Sequence, residues 1–258
     1  MSRLFIFGLG YTAKRIAQAL TARGWEVVAT GSDGALDFAD REAVGRALAS
    51  CSHVLSSVPP ADDSDPVVDL YAYAFAGKWL GYLSSTGVYG DADGAWVDEA
   101  SPTGTGRRSA RAQCDSRWLD QGARVFRLPG IYGPGRSAFE RVRQGKAHRI
   151  DLPGQVFSRV HVEDIVSGVV AALESDAAPG AYNLADDWPT SQNAVIEEAC
   201  RLLGIEPPPL QSIEQAGLSP MARGFYAENR RVANGKARRV LGWSPAYPTY
   251  REGLRGLL

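Results

Sequence analysis

The sequence predicts an α/β protein, a doubly wound parallel sheet with a small C-terminal lobe, and three observations carry that expectation. Short apolar runs of strand length alternate with stretches of helical periodicity from the N-terminus to about Leu128. The first run ends in Gly8-Leu9-Gly10-Tyr11-Thr12-Ala13, a glycine-rich turn leading from strand to helix. Beyond Gly130 the alternation loosens into loops and short helices, with a tail from Pro207 to Leu258 rich in proline and aromatics.

The first strand is Leu4-Phe5-Ile6-Phe7, and the helix after it runs through Ile16, Ala17 and Leu20 to Gly24, which closes it. A second strand spans 25–30 and a brief third 35–38, with no room for a full helix between them. A helix over 40–49 has Asp40 as its cap, and a strand over 53–58 stops at Pro59-Pro60. Then come a helix over 65–77, a strand over 79–84, a helix over 107–121 and a strand over 123–128. Strands alternating with helices in this way pair in parallel, and ligands then lie outside the carboxyl ends of the strands. Helices over 137–144 and 161–173, a strand over 182–185, and helices near 192–203 and 231–241 complete the chain. The whole reads as one domain, 1–258, in which about 131–160 and 186–258 form a small lobe over the carboxyl edge of the sheet.

The glycine turn carries the first functional expectation. Gly8 lets the strand turn sharply, and Gly10 lets a pyrophosphate approach the backbone without meeting a Cβ. Ala13 is small enough for the helix to pack on the strand, and Tyr11 and Thr12 open a helix whose free N–H groups favour phosphate. Such a turn alone could serve packing, but Asp33 lies about 20 residues on, near the end of the second strand, as a dinucleotide fold requires. The expected cofactor is therefore NAD or NADP. Asp33 would accept the ribose hydroxyls of NAD and repel a 2′-phosphate, which slightly favours NAD, whereas Lys14, Thr30 and Ser32 could serve NADP. Ser57, Val58 and Pro59 end a strand beside the expected dinucleotide.

Composition narrows the partners. The 258 residues have a net charge of −1 and no basic tract, so no nucleic acid and no anionic membrane surface is expected. The longest apolar runs are strand-sized, which predicts no membrane-spanning helix. The N-terminus enters a strand at once, without a signal-peptide pattern. Three widely spaced cysteines suit neither a disulfide framework nor a zinc site and point to the reducing cytoplasm. His53, His148 and His161 show no metal-ligand spacing, so no metal is expected. The partner is a small-molecule substrate, and the chain a monomer or homodimer.

Motifs further along resemble the extended short-chain dehydrogenases, the family of NAD-dependent epimerases and dehydratases. Ser84-Ser85-Thr86-Gly87-Val88-Tyr89-Gly90-Asp91 is similar to the family's hydroxyl-bearing strand end, and Asp98-Glu99-x-Ser101-Pro102 to its Asp-Glu-x-x-Pro loop. Arg127-Leu128-Pro129-Gly130-Ile131-Tyr132-Gly133-Pro134-Gly135, His161-Val162-Glu163-Asp164, Tyr182-Asn183-Leu184 and Leu241-Gly242-Trp243-x-Pro245 resemble later motifs in the same order. The resemblance implies a Rossmann-type fold, Ser85 or Thr86 at the catalytic hydroxyl position, and Asp37 near the adenine. It also places Arg159 close to where relatives hold a substrate diphosphate, though one residue out of register.

One departure from the family matters chemically. With Asp115 lined up on the acid that usually follows, Arg107 and Arg111 stand where the family's Tyr-x-x-x-Lys should be, so the chain resembles an atypical branch. Arginine does not deprotonate in proteins and so cannot be the general base; it can bind an anion or stabilise an oxyanion. Tyr89 or Tyr132 could supply the missing phenol, while His161 suits a helix cap or packing better than catalysis. The expected function is an oxidoreductase or epimerase acting on a small hydroxyl-bearing substrate, anionic or nucleotide-sugar-like. The alternative is a non-catalytic dinucleotide-binding redox sensor or regulatory protein.

Overall fold

The computed structural model describes residues 2–61, 63–106 and 109–258. The elements through the sheet's middle are β1 (Arg3–Phe7), α1 (Tyr11–Thr21), β2 (Glu26–Ala29), α2 (Arg41–Ala49), β3 (His53–Ser56), α3 (Pro66–Tyr71), β4 (Trp79–Ser85), β5 (Trp96–Val97), α4 (Ser109–Asp120) and β6 (Arg124–Leu128). There follow β7 (Gly130–Tyr132), α5 (Ala138–Arg143), β8 (Arg149–Ile150), β9 (Arg159–His161), α6 (Val162–Leu173), β10 (Gly180–Asn183) and α7 (Gln192–Leu203). The chain ends with β11 (Leu210–Gln211), α8 (Pro220–Tyr226), β12 (Arg231–Val232), α9 (Gly235–Leu241) and α10 (Tyr250–Arg255).

Six strands form the expected parallel sheet in the order β2-β1-β3-β4-β6-β10. The alternation of β1 explains why both faces must be covered. Leu4 and Ile6 point into a core shared with α1, α6 and α9, and Phe5 and Phe7 into one shared with α2, α3 and α4; all four are fully buried. Asp40 caps α2, accepting the Ala43 N–H. Asp65 caps α3 and also accepts the Trp118 indole N–H at 2.7 Å, so a buried acid joins α3 to α4.

Three expectations change. The brief third strand over 35–38 is reduced to one bridge, Thr30 to Leu36. The chain reverses too tightly there for a ladder: a Cβ on Gly34 would lie 2.5 Å from the Ala29 carbonyl oxygen, and one on Gly31 (φ +120°) 2.9 Å from the Leu9 nitrogen. The helix expected near 231–241 starts later, because Arg231 and Val232 pair with Trp96 and Val97. Finally, the late chain divides. α5, α7 and α10 enclose a small apolar core of their own around Phe139, Ile196 and Leu254, whereas Ala237, Leu241 and Trp243 pack on the main sheet.

Candidate functional site: the carboxyl edge of the sheet

The order in which strands are added to the sheet reverses between the parallel neighbours β1 and β3, and the glycine turn lies outside their carboxyl ends, the place where parallel sheets bind ligands. Gly8 has φ +81°, a left-handed conformation that favours glycine. Its N–H donates to the buried Thr30 hydroxyl at 3.3 Å, and its carbonyl accepts the Ser57 hydroxyl. Thr30 therefore helps to hold the turn. Val58 closes on the other side, 3.1 Å from where a Gly8 Cβ would stand. Gly10 differs: a Cβ there would meet no atom of the other described residues within 4 Å. It precedes α1, with Thr12 and Ala13 buried in the first turn and no acidic residue there.

On the far side of the crevice Asp33 is half-exposed and ion-paired with Lys14. Asp37 accepts the Ala39 N–H at 2.9 Å in a local turn, and Ser32 is exposed. Tyr11 donates its hydroxyl to the Pro134 carbonyl at 3.1 Å, which brings the loop after β7 onto the start of α1. The structure thus gathers Gly8, Gly10, Tyr11, Ser57 and Val58 at one edge.

At the carboxyl end of β4, the Ser85 Oγ accepts the Gly87 N–H at 3.1 Å and the side chain is partly exposed. Its own proton is free to be donated onward. Thr86 is buried. Below them lies a network that sequence reasoning missed. Asp115 accepts Ser84 at 2.7 Å and Arg127 twice, at 2.7 and 3.1 Å; Arg127 donates on to the Tyr89 hydroxyl at 3.0 Å. Tyr89 donates in turn to Asn183 at 2.8 Å, and Glu99 accepts the Asn183 N–H at 2.7 Å. The reserve role of Tyr89 as a free phenol is corrected accordingly: both its donor and its acceptor are committed. Burial pushes its pKa up to about 12, although Arg127 opposes the shift.

The other described candidates point elsewhere. Arg107 lies outside the described residues. Arg111 reaches the buried Tyr82 hydroxyl at 3.4 Å, one helical turn before Asp115. Tyr132 aims its hydroxyl at Gly253 of α10, into the lobe and away from the crevice, and burial raises its pKa. His161 caps α6, its Nδ1 accepting the Glu163 N–H; burial and the nearby Arg15 bring its pKa down to about 4. That makes it neutral at physiological pH, as expected of a cap. Arg159 is buried among the carbonyls of Phe157, Thr190 and Ser191 and the Gln192 amide oxygen, so it braces the lobe and is not open to a substrate diphosphate.

Asp186, which carried no recognisable sequence signal, sits beside Arg159. Asp186 is 2% exposed, and among the described residues neither carboxylate oxygen has a hydrogen-bond partner. Burial pushes its pKa up to about 8 against the pull of Arg159. An ordinary unfolded aspartate titrates near 3.9, so between about pH 4 and pH 8 the folded chain holds a proton that the unfolded chain has released. Stability should therefore fall as pH rises through that window, by about 1 kcal/mol per pH unit near its middle. Urea unfolding from pH 5 to 8 checks this: Asp186→Asn should flatten the slope, and an unchanged slope would show that Asp186 is ionised throughout.

No family model matches the chain. A functionally unknown conserved protein from Silicibacter pomeroyi is 40% identical, with a TM-score of 0.86 over 100% of this chain and 98% of that one. The two belong to one family. Protein YeeZ of Escherichia coli is 27% identical over 96% of this chain and 97% of its own length. A human epimerase family protein, solved with NADPH, shares the fold at 16% identity, with a TM-score of 0.75 over 99% and 98% of the two chains. The family therefore has the Rossmann-type fold of the epimerases and dehydratases, as the motifs implied.

Proposed function

We propose that the chain is an NAD(P)-dependent oxidoreductase or epimerase-like enzyme acting on a small hydroxyl-bearing substrate, anionic or nucleotide-sugar-like. The observation that carries this reading is the open backbone at Gly10, set before α1 at the reversal point of the sheet. The residues fit a dinucleotide: the space a Cβ would fill is free, and the first helical turn offers unblocked N–H groups. The NADPH of the human neighbour agrees with this. The nicotinamide supplies hydride donor or acceptor chemistry. Gly8, Gly10, Tyr11, Thr12 and Ala13 would hold the pyrophosphate, Ser32, Asp33 and Asp37 the adenosine side, and Ser57, Val58 and Pro59 would wall the crevice.

Ser85 would orient the substrate oxygen with the proton its own hydrogen bond leaves free. Arg107 would favour an anionic substrate, and the lobe built on α5, α7 and α10 would close over it. Because Lys14 balances Asp33, the NAD preference should be narrow, about tenfold or less. Calorimetry with NAD and NADP side by side checks it, and tighter NADP binding would overturn it.

One observation favours the redox-sensor alternative. Tyr89, Tyr132 and His161 are each committed to packing or hydrogen bonds away from Ser85. General acid–base help is typically worth about 10²–10⁴ in rate, so neutral alcohols should turn over poorly at best. NADH and NADPH formation across neutral alcohols and hydroxy acids tests this. Robust turnover of a neutral alcohol that survives Ser85→Ala would mean the active centre lies elsewhere; binding without turnover of any substrate favours the sensor.

A further inference from the structure

We propose that Arg136 is the cation that clamps the dinucleotide's pyrophosphate, reaching over the first turn of α1 from the opposite side of the crevice; the inference rests on the dinucleotide reading above. Arg136 ends a turn closed by two backbone hydrogen bonds with Gly133, of 3.1 and 2.9 Å. The turn is pressed onto α1. Tyr11 is tethered to the Pro134 carbonyl, and a Cβ on Gly133 would lie 2.7 Å from the Tyr11 hydroxyl and 2.6 Å from Val162. The Arg136 guanidinium is thereby placed 5.7 Å from the centre of the Tyr11 ring.

The charges around α1 single this residue out. Lys14 is ion-paired with Asp33. Arg15 stacks 4.0 Å over the Tyr11 ring, donates to the Tyr11 carbonyl and pairs with Glu163. Glu140, a neighbour in sequence, accepts the backbone N–H and the hydroxyl of Ser137. Arg136 is exposed, and among the described residues it has no ion-pair partner. An arginine on an untethered loop would be an ordinary solvated charge. On a closed turn fixed to the residue that opens α1, its fork can meet two phosphate oxygens at little further entropic cost. Tyr11 thus acts as a positioning residue, through its hydroxyl as well as its backbone N–H.

Calorimetry with ADP-ribose, which carries the pyrophosphate but no nicotinamide, tests the assignment. Arg136→Ala should weaken ADP-ribose about tenfold, leave adenosine unchanged and make binding less sensitive to salt. Arg136→Lys should recover part of the loss. Tyr11→Phe should weaken ADP-ribose several-fold in the wild-type background and hardly at all when Arg136 is already alanine, since the tether would then hold nothing. If Arg136→Ala spares ADP-ribose but weakens UDP, the cation serves a substrate diphosphate and the proposal falls. If Gly10→Val blocks ADP-ribose and Arg136→Ala does not weaken it, the dinucleotide reading stands and the role of Arg136 is wrong. If wild-type protein binds neither ADP-ribose, NAD nor NADP, both fall together.

Discussion

Gly10→Val is expected to weaken dinucleotide binding by about two orders of magnitude or more while leaving the fold intact. Gly10 has φ −88° and ψ −167°, an extended conformation that valine adopts without strain, and its Cβ direction is empty of protein atoms. The added side chain therefore meets nothing until a pyrophosphate arrives. Keeping the phosphates from the helix N–H groups would forfeit charge-assisted hydrogen bonds worth about 1.5–3 kcal/mol each, and two of them account for the loss. Gly8→Ala is the contrasting variant. It places a Cβ 3.1 Å from both Ser57 Oγ and Val58 Cγ2 at φ +81°, so it should lower stability as well as affinity. Calorimetry for binding and urea unfolding for stability separate the two. Unchanged cofactor affinity in Gly10→Val would remove the dinucleotide reading altogether.

Asp115→Ala is expected to destabilise the protein by about 3–5 kcal/mol, a large share of a domain's usual stability. Arg127 is 3% exposed and its guanidinium is anchored to Asp115 through two hydrogen bonds, so losing the acid would strand a buried cation. Ser84 would lose its partner too. Replacing both charges, Asp115→Leu with Arg127→Met, should cost much less than Asp115→Ala alone, because no unpaired charge is left behind. The midpoint of urea unfolding reads both variants. If the double variant is as unstable as the single, the ion pair contributes net stability beyond avoiding a stranded charge. The pair also bears on the site, since Arg127 holds Tyr89 and Asp115 holds Ser84 beside Ser85. Cofactor affinity in the double variant should therefore stay near wild type, while any turnover that depends on Ser85 should fall.

The local parts were legible in the sequence, and the long-range polar parts were not. Strand, glycine turn and helix over Leu4 to Leu20 form one continuous piece of chain, so the places of Gly8, Gly10 and Ala13 in the turn follow from spacing alone. The same is true of the parallel sheet, because apolar runs alternating with helical periods leave little choice of topology. His161 as a helix cap was readable for that reason too. What spacing could not reveal was which polar side chains would meet. Tyr89 looked available as a phenol until Arg127 and Asn183, 38 and 94 residues away, closed on it. Arg159 looked like a phosphate ligand until carbonyls from 157 to 191 enclosed it beside Asp186. Nor could spacing show that the Thr30 hydroxyl is buried and accepts the Gly8 N–H.

The sequence by itself determined the sheet and the strand, glycine turn and helix at its edge, since each depends on residue identity within a short stretch. The tertiary structure alone decided which hydroxyls, carboxylates and guanidinium groups are spent on one another and which stay open to the crevice. The physical reason is that a buried polar group must find a partner wherever the fold brings one, so its role depends on contacts between distant segments of the chain.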